Sequence, residues 1–110
     1  MIKETGLSRT IKVIKNRRNA DKSQSYVASL LQGSEEKILK KLTEETTELI
    51  LAVNSGQTSE MVHEASDLLF HYLVLLEKVN ISLEEVIEEL LSREGVSGFE
   101  EKRERKVKSL

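Results

Sequence analysis

The sequence predicts an all-α helical bundle. Proline is absent, glycine occurs only five times in 110 residues, and apolar residues recur mainly at spacings of three and four. No strand is expected.

Each element follows from local signals. A first helix is expected from Leu7 to about Arg18, and a short one from Ser23 or Gln24 to Gly33, a residue that suits a left-handed C-terminal cap. Ser34 then caps a long helix over about Glu35 to Val53. The cluster Asn54-Ser55-Gly56-Gln57-Thr58 breaks the pattern, after which Thr58 or Ser59 can cap a second long helix to about Val79. Ser82 with Glu85 and Ser97 with Glu100 are spaced as capping boxes, in which the carboxylate reaches back to a free backbone N–H. They open a helix to about Glu94 and a short one to about Lys106. The two long helices should form a hairpin.

Composition sets the broad class. A chain of this length is expected to form one domain over residues 1–110. With 38% apolar and 33% charged residues it is not low-complexity, and no apolar run approaches the ~20 residues of a bilayer span. Absence of cysteine rules out a disulfide scaffold and thiolate-ligated metal sites. No signal-peptide-like apolar stretch opens the chain, so the default expectation is a cytoplasmic location. The net charge of −2 hides a sorting: residues 1–24 carry seven basic and two acidic side chains, residues 25–98 five and fourteen, residues 99–110 five and three. An acidic middle repels a phosphate backbone, so no nucleic-acid partner is expected.

The chemistry concentrates on the two long helices. At ~100° per residue, with Glu44 at 0°, the side chains of Lys37, Glu48, Lys41 and Glu45 share one wedge of roughly 100°. On the same wheel Ile38, Leu49, Leu42, Val53, Leu39 and Ile50 occupy roughly 120° to 240°, the stripe expected to face a core. The second helix contains Leu68-Leu69-Phe70-His71-Tyr72-Leu73-Val74-Leu75-Leu76, apolar at all but one position. Such a segment calls for burial on nearly every side, more than a single small chain provides. Through it runs one polar stripe of Glu60, Glu64, Asp67 and His71. A carboxylate buried there must be protonated, paired or metal-bound. In an antiparallel hairpin Glu44, Glu45 and Glu48 can face Glu64 and Asp67, and a set of carboxylate oxygens suits Mg²⁺. With only His63 and His71 available, a histidine-rich zinc site is not expected.

Simpler readings stand beside these. Taken alone, Glu44-Glu45-x-x-Glu48 suits a solvated acidic face, with Lys37 and Lys41 as its ion-pair partners. Glu64 and Asp67 resist that reading, because an apolar helix offers them no solvated face. His71 is expected to be a hydrogen-bonded core residue rather than a ligand or base. Tyr26, Phe70 and Tyr72 are expected in the core.

At these residues the chain resembles the all-α nucleoside triphosphate pyrophosphohydrolases, and more specifically the phosphoribosyl-ATP pyrophosphohydrolase family of histidine biosynthesis. Four segments carry the likeness: Asn16 to Asp21 with Ser25 to Leu31, Lys37 to Glu48, Glu64 to His71, and Ser97 to Lys102. The resemblance implies a helical bundle completed by dimerisation, a homodimer or larger homo-oligomer. It implies Mg²⁺-dependent hydrolysis of the α–β phosphoanhydride of phosphoribosyl-ATP to phosphoribosyl-AMP and pyrophosphate. Carried over by position, Glu44, Glu45, Glu48, Glu64 and Asp67 would hold Mg²⁺, with Glu48 or Glu45 as base. Lys37, Lys41, Arg17 and Arg18 would contact phosphate. Thr43 and Thr46 stand where the family commonly has glycine and alanine. Two other readings stay open: a house-cleaning nucleoside triphosphate hydrolase of the same fold, and a non-catalytic helical dimerisation module.

Overall fold

The computed structural model describes residues 5–95 and 102–105. Five helices follow one another: α1 (Gly6–Asn16), α2 (Tyr26–Gln32), α3 (Glu35–Ser55), α4 (Thr58–Lys78) and α5 (Leu83–Ser92). Residues 102–105 are also helical, and no strand occurs among the described residues. None of these helices is long and apolar enough to cross a membrane.

The helix ends show how local chemistry divides the chain. Thr5 and Ser8 form a capping box on α1, and Ser34 caps α3 by accepting from the Lys37 N–H. The expected Ser82–Glu85 box opens α5, whereas the Ser97–Glu100 box lies outside the described residues. The second helix begins later than its composition suggests. Asp21 Oδ1 accepts from the Ser23 N–H at 2.9 Å and from its hydroxyl at 2.8 Å. Gln24 and Ser25 then donate to the Asp21 carbonyl. This turn consumes residues 21–25, so Ser25 becomes the cap of α2.

Two expected caps are corrected. Gly33 is extended, with φ −81° and ψ −172°, rather than left-handed. Its lack of a side chain still matters, because a Cβ there would stand 2.8 Å from the Ser29 carbonyl oxygen. Carbonyls at the end of α2 are satisfied from α4 instead: Lys78 Nζ donates to Leu31 O at 2.9 Å and Gly33 O at 2.7 Å. A left-handed glycine closes α3 instead: Gly56, φ 75°. Neither Thr58 nor Ser59 caps α4; Gln57 holds that position without a side-chain hydrogen bond.

α3 and α4, joined only by Gly56 and Gln57, pack as an antiparallel hairpin, and α1 and α2 pack on α4. The core gathers Ile14, Leu30, Leu31, Ile38, Leu73 and Val74, ringed by partly buried Ile11, Val27, Phe70, Tyr72, Leu75 and Leu83. The buried side of α3 is rotated from the expected stripe toward the acids. Ile38, Ala52 and Glu45 are buried, while Leu39, Ile50 and Val53 remain 45%, 56% and 54% exposed. Within α4, His71, Leu73, Val74 and Leu76 are buried but Leu69 is exposed. One chain therefore covers only part of the apolar hairpin surface.

The open end of the hairpin is tied to α1 by a clamp on Glu77. Its carboxylate accepts from Lys15 Nζ at 3.0 Å and from Arg18 Nη2 at 3.1 Å, while Arg18 also reaches the Glu77 carbonyl. Burial works to raise the Glu77 carboxyl, but the hydrogen bonds from Lys15 and Arg18 outweigh it and hold the group below its ordinary value of 4.5. A depressed carboxylate stabilises the fold above its unfolded pKa and loses that contribution as pH falls through the folded one. Glu77→Gln should therefore cost about 1 kcal/mol at neutral pH. In thermal melts the gap from wild type should close as pH drops from about 4.5 downward; a gap unchanged at low pH would refute the clamp.

Candidate active site

The hairpin sets the acids of α3 against those of α4. On α4, Glu60, Glu64 and Asp67 follow at intervals of four and three, which places them on one face. Across the seam, Glu48 joins Glu60 and Glu64 in lining a cleft of about 320 Å³ floored by Leu51 and Ala52. His63, Glu64 and Asp67 each offer a donor atom within 4.8 Å of the others, and His63 Nε2 stands 3.5 Å from Asp67 Oδ2.

Glu44 and Glu45 occupy the next part of the wedge and share a cation. Lys41 Nζ lies 3.3 Å from Glu44 and 3.5 Å from Glu45. Hydrogen bonding to Glu44 leads in holding the Lys41 ammonium above its ordinary pKa, against the opposing effect of burial. Glu45 is buried, so Lys41 provides the compensation that a carboxylate in that position requires.

The site residues expected from the sequence separate accordingly. Glu48 and Glu64 meet in one cleft, and Glu64 joins Asp67 in one donor cluster. Glu44 and Glu45 stand with Lys41, which is engaged by carboxylates rather than free for phosphate. Lys37 is exposed near the start of α3, and Arg17 is exposed at the end of α1. Arg18 belongs to the Glu77 clamp, ten residues from Asp67 and so about 15 Å along the α4 axis. Two members of the site were not among the expected ligands: Glu60, which lines the cleft and accepts from Ser55 Oγ at 2.9 Å, and His63. Their signal was the spacing of four that separates Glu60 from Glu64 and His63 from Asp67.

Beside the acids lies a pair of ring side chains. His71 is buried, as expected of a core histidine, and both of its nitrogens are hydrogen-bonded. Tyr26, expected in the core, is 49% exposed instead, because α2 presents its first residue at the edge of the bundle. Burial comes first in pushing the Tyr26 hydroxyl pKa up; Lys41 opposes it, while Glu45, Glu44 and Asp67 add to it. The hydroxyl thus lies in the field of the acid cluster.

The donor set fits a hard divalent cation: the facing groups are carboxylates apart from the single imidazole of His63, and no thiolate is present. The phosphoribosyl-ATP pyrophosphohydrolase family model matches residues 7–94. Among curated proteins, the phosphoribosyl-ATP pyrophosphatase of Nitrosospira multiformis is 47% identical over 92% of this chain and 84% of its own length. That of Geobacter metallireducens is 48% identical over 90% and 91%, and that of Neisseria gonorrhoeae 44% identical over 87% and 90%. The fold and the opposed acids define an all-α protein with a carboxylate-lined cleft. The chain belongs to the phosphoribosyl-ATP pyrophosphohydrolase family.

Binding of Mg²⁺ to the folded site should raise the thermal midpoint. Linkage gives about 2.7 kcal/mol at a concentration 100 times the dissociation constant. Asp67→Asn should diminish the shift, read by calorimetry in millimolar MgCl₂ against NaCl of equal ionic strength. An identical midpoint with and without Mg²⁺ would argue against a cation site.

Proposed function

We propose that this chain hydrolyses the α–β phosphoanhydride of phosphoribosyl-ATP, yielding phosphoribosyl-AMP and pyrophosphate, a step of histidine biosynthesis. The observation that carries the reading is the family match over residues 7–94. The opposition of Glu48 to Glu64 across one cleft supplies chemistry to suit it.

The proposed mechanism uses the acids in two ways. Glu44, Glu45, Glu48, Glu64 and Asp67 would hold Mg²⁺, which when bound supplies charge neutralisation at the phosphoryl oxygens and a lowered pKa for water. Glu48 or Glu45 takes one proton from the attacking water. As the water oxygen bonds to phosphorus, the bridging P–O bond breaks and its electron pair stays with the departing group, pyrophosphate for attack at the α-phosphorus or phosphoribosyl-AMP for attack at the β-phosphorus. Lys37 and Arg17 are assigned to the substrate phosphates, while Lys41 stays with Glu44 and Glu45. Arg18 is left out of this set, since its guanidinium spans the Glu77 carboxylate and carbonyl.

A second copy of the chain completes the fold in this reading. Leu39, Ile50 and Val53 on α3, with Val62 and Leu69 on α4, leave a broad apolar surface on the hairpin, larger in kind than scattered exposed residues. Light scattering should give a homodimer or larger homo-oligomer, and Ile50→Glu should weaken it. A wild-type monomer at micromolar concentration would refute this part.

The activity is tested by pyrophosphate release from phosphoribosyl-ATP with Mg²⁺, beside a panel of ordinary nucleoside triphosphates. Phosphoribosyl-ATP should be strongly preferred, and Glu48→Gln should lose about 100-fold or more in turnover. Preference for the panel would move the chain to general nucleotide hydrolysis; silence on both would refute the hydrolase reading.

A further inference from the structure

One member of the donor cluster on α4 is not a carboxylate. His63 precedes Glu64 and stands four residues before Asp67, and its Nε2 lies 3.5 Å from Asp67 Oδ2. Glu64 adds a carboxylate oxygen, so that three donor atoms lie within 4.8 Å of one another. Side chains four apart share one helix face, and donors at that spacing are an arrangement by which a single helix grips a metal ion.

The plainer account of His63 is an ion pair between a protonated ring and Asp67, and the distance speaks against it. A charge-assisted hydrogen bond closes to about 2.8 Å, whereas two donors each about 2.1 Å from a tetrahedrally coordinated ion stand about 3.4 Å apart. The observed 3.5 Å matches the second separation. The chemistry of the added donor then bears on which ion is held. Mg²⁺ takes oxygen ligands and keeps much of its water, while an imidazole nitrogen suits later transition-metal ions, whose affinity for mixed nitrogen and oxygen sites rises across the series.

We propose that His63 Nε2 is a ligand to the cation that Glu64 and Asp67 hold, and that this nitrogen makes the site prefer transition-metal ions such as Co²⁺ and Zn²⁺ to Mg²⁺. This rests on the reading above that these carboxylates bind a divalent cation. For Nε2 to offer its lone pair, the ring proton sits on Nδ1. Mg²⁺ still enters through the carboxylates; the imidazole contributes only when the ion accepts nitrogen.

The test is a titration of the metal-free full chain with Co²⁺, followed by visible absorption and competed by Mg²⁺. Wild type should bind Co²⁺ at least about tenfold more tightly than Mg²⁺. His63→Gln exchanges the ring nitrogen for an amide where the side chain is 71% exposed, and it should weaken Co²⁺ by about 10- to 100-fold while Mg²⁺ changes by less than about threefold. Nitrogen NMR of the wild type gives a reading that does not depend on the variant: one equivalent of Zn²⁺ should shift His63 Nε2 strongly, and Mg²⁺ should leave it in place. Co²⁺ bound no more tightly than Mg²⁺, equal Co²⁺ affinity in the two proteins, a parallel loss of both ions in the variant, or a His63 ring unmoved by Zn²⁺ would each overturn the proposal. A wild-type chain that binds none of the three ions would instead refute the cation site itself, and this ligand with it.

Discussion

The structure turns on a conflict within the α3–α4 hairpin. The same two helices that supply most of the apolar seam also carry the carboxylates, and the acidic wedge of α3 borders its buried face so closely that Glu45 is itself buried. An ionised carboxylate there is tolerated only when compensated. Lys41 offers that compensation from one turn away, spanning Glu44 and Glu45. Glu48 and Glu64 sit where the seam opens into a cleft, Asp67 stands beside Glu64, and all three retain access to water or a cation. The position of the site is thus where packing gives way to charge.

α4 resolves the rest by acting as the hub. Its polar side chains hold neighbouring elements at sites where those elements need a partner. Lys78 satisfies carbonyls at the end of α2, Glu77 gathers Lys15 and Arg18 from the end of α1, and His71 takes the hydroxyl that opens α2. Each contact joins a charged or polar atom to a group that would otherwise lack a fixed partner, so burial at the centre of the bundle leaves no described side-chain polar atom unsatisfied. The placement of Tyr26 against His71 is a product of this arrangement: Ser25 ends the preceding turn and caps the helix, and His71 fixes where its first side chain points.

Much of this was legible in the sequence because it is local. Helix order, the Ser34 and Ser82 caps, and the antiparallel hairpin depend on neighbours within a turn or two, and so does the sharing of one face by Glu64 and Asp67. What was not legible depends on atoms far away along the chain. Gly33 reads as a left-handed cap until Lys78 is seen to provide the missing donors, 45 residues on. Arg18 reads as a phosphate ligand until Glu77 claims it, 59 residues on. The rotation of the buried face of α3 is of the same kind. A helical wheel tells which residues are apolar, but α4 alone determines which of them it covers, and it covers Ile38 and Ala52 rather than Ile50 and Val53.

That rotation links packing to the site. Had the apolar stripe of α3 been centred on α4, the wedge bearing Glu44, Glu45 and Glu48 would have pointed away from the hairpin, and Glu48 could not have faced Glu64. Turning α3 toward its acidic edge brings the two helices' carboxylates together, at the cost of leaving Leu39, Ile50 and Val53 in water. The exposed stripe and the assembled acids are therefore two consequences of one helix orientation. A fold that used all of its apolar surface within one chain would have to turn its acidic wedge outward and dismantle the cleft.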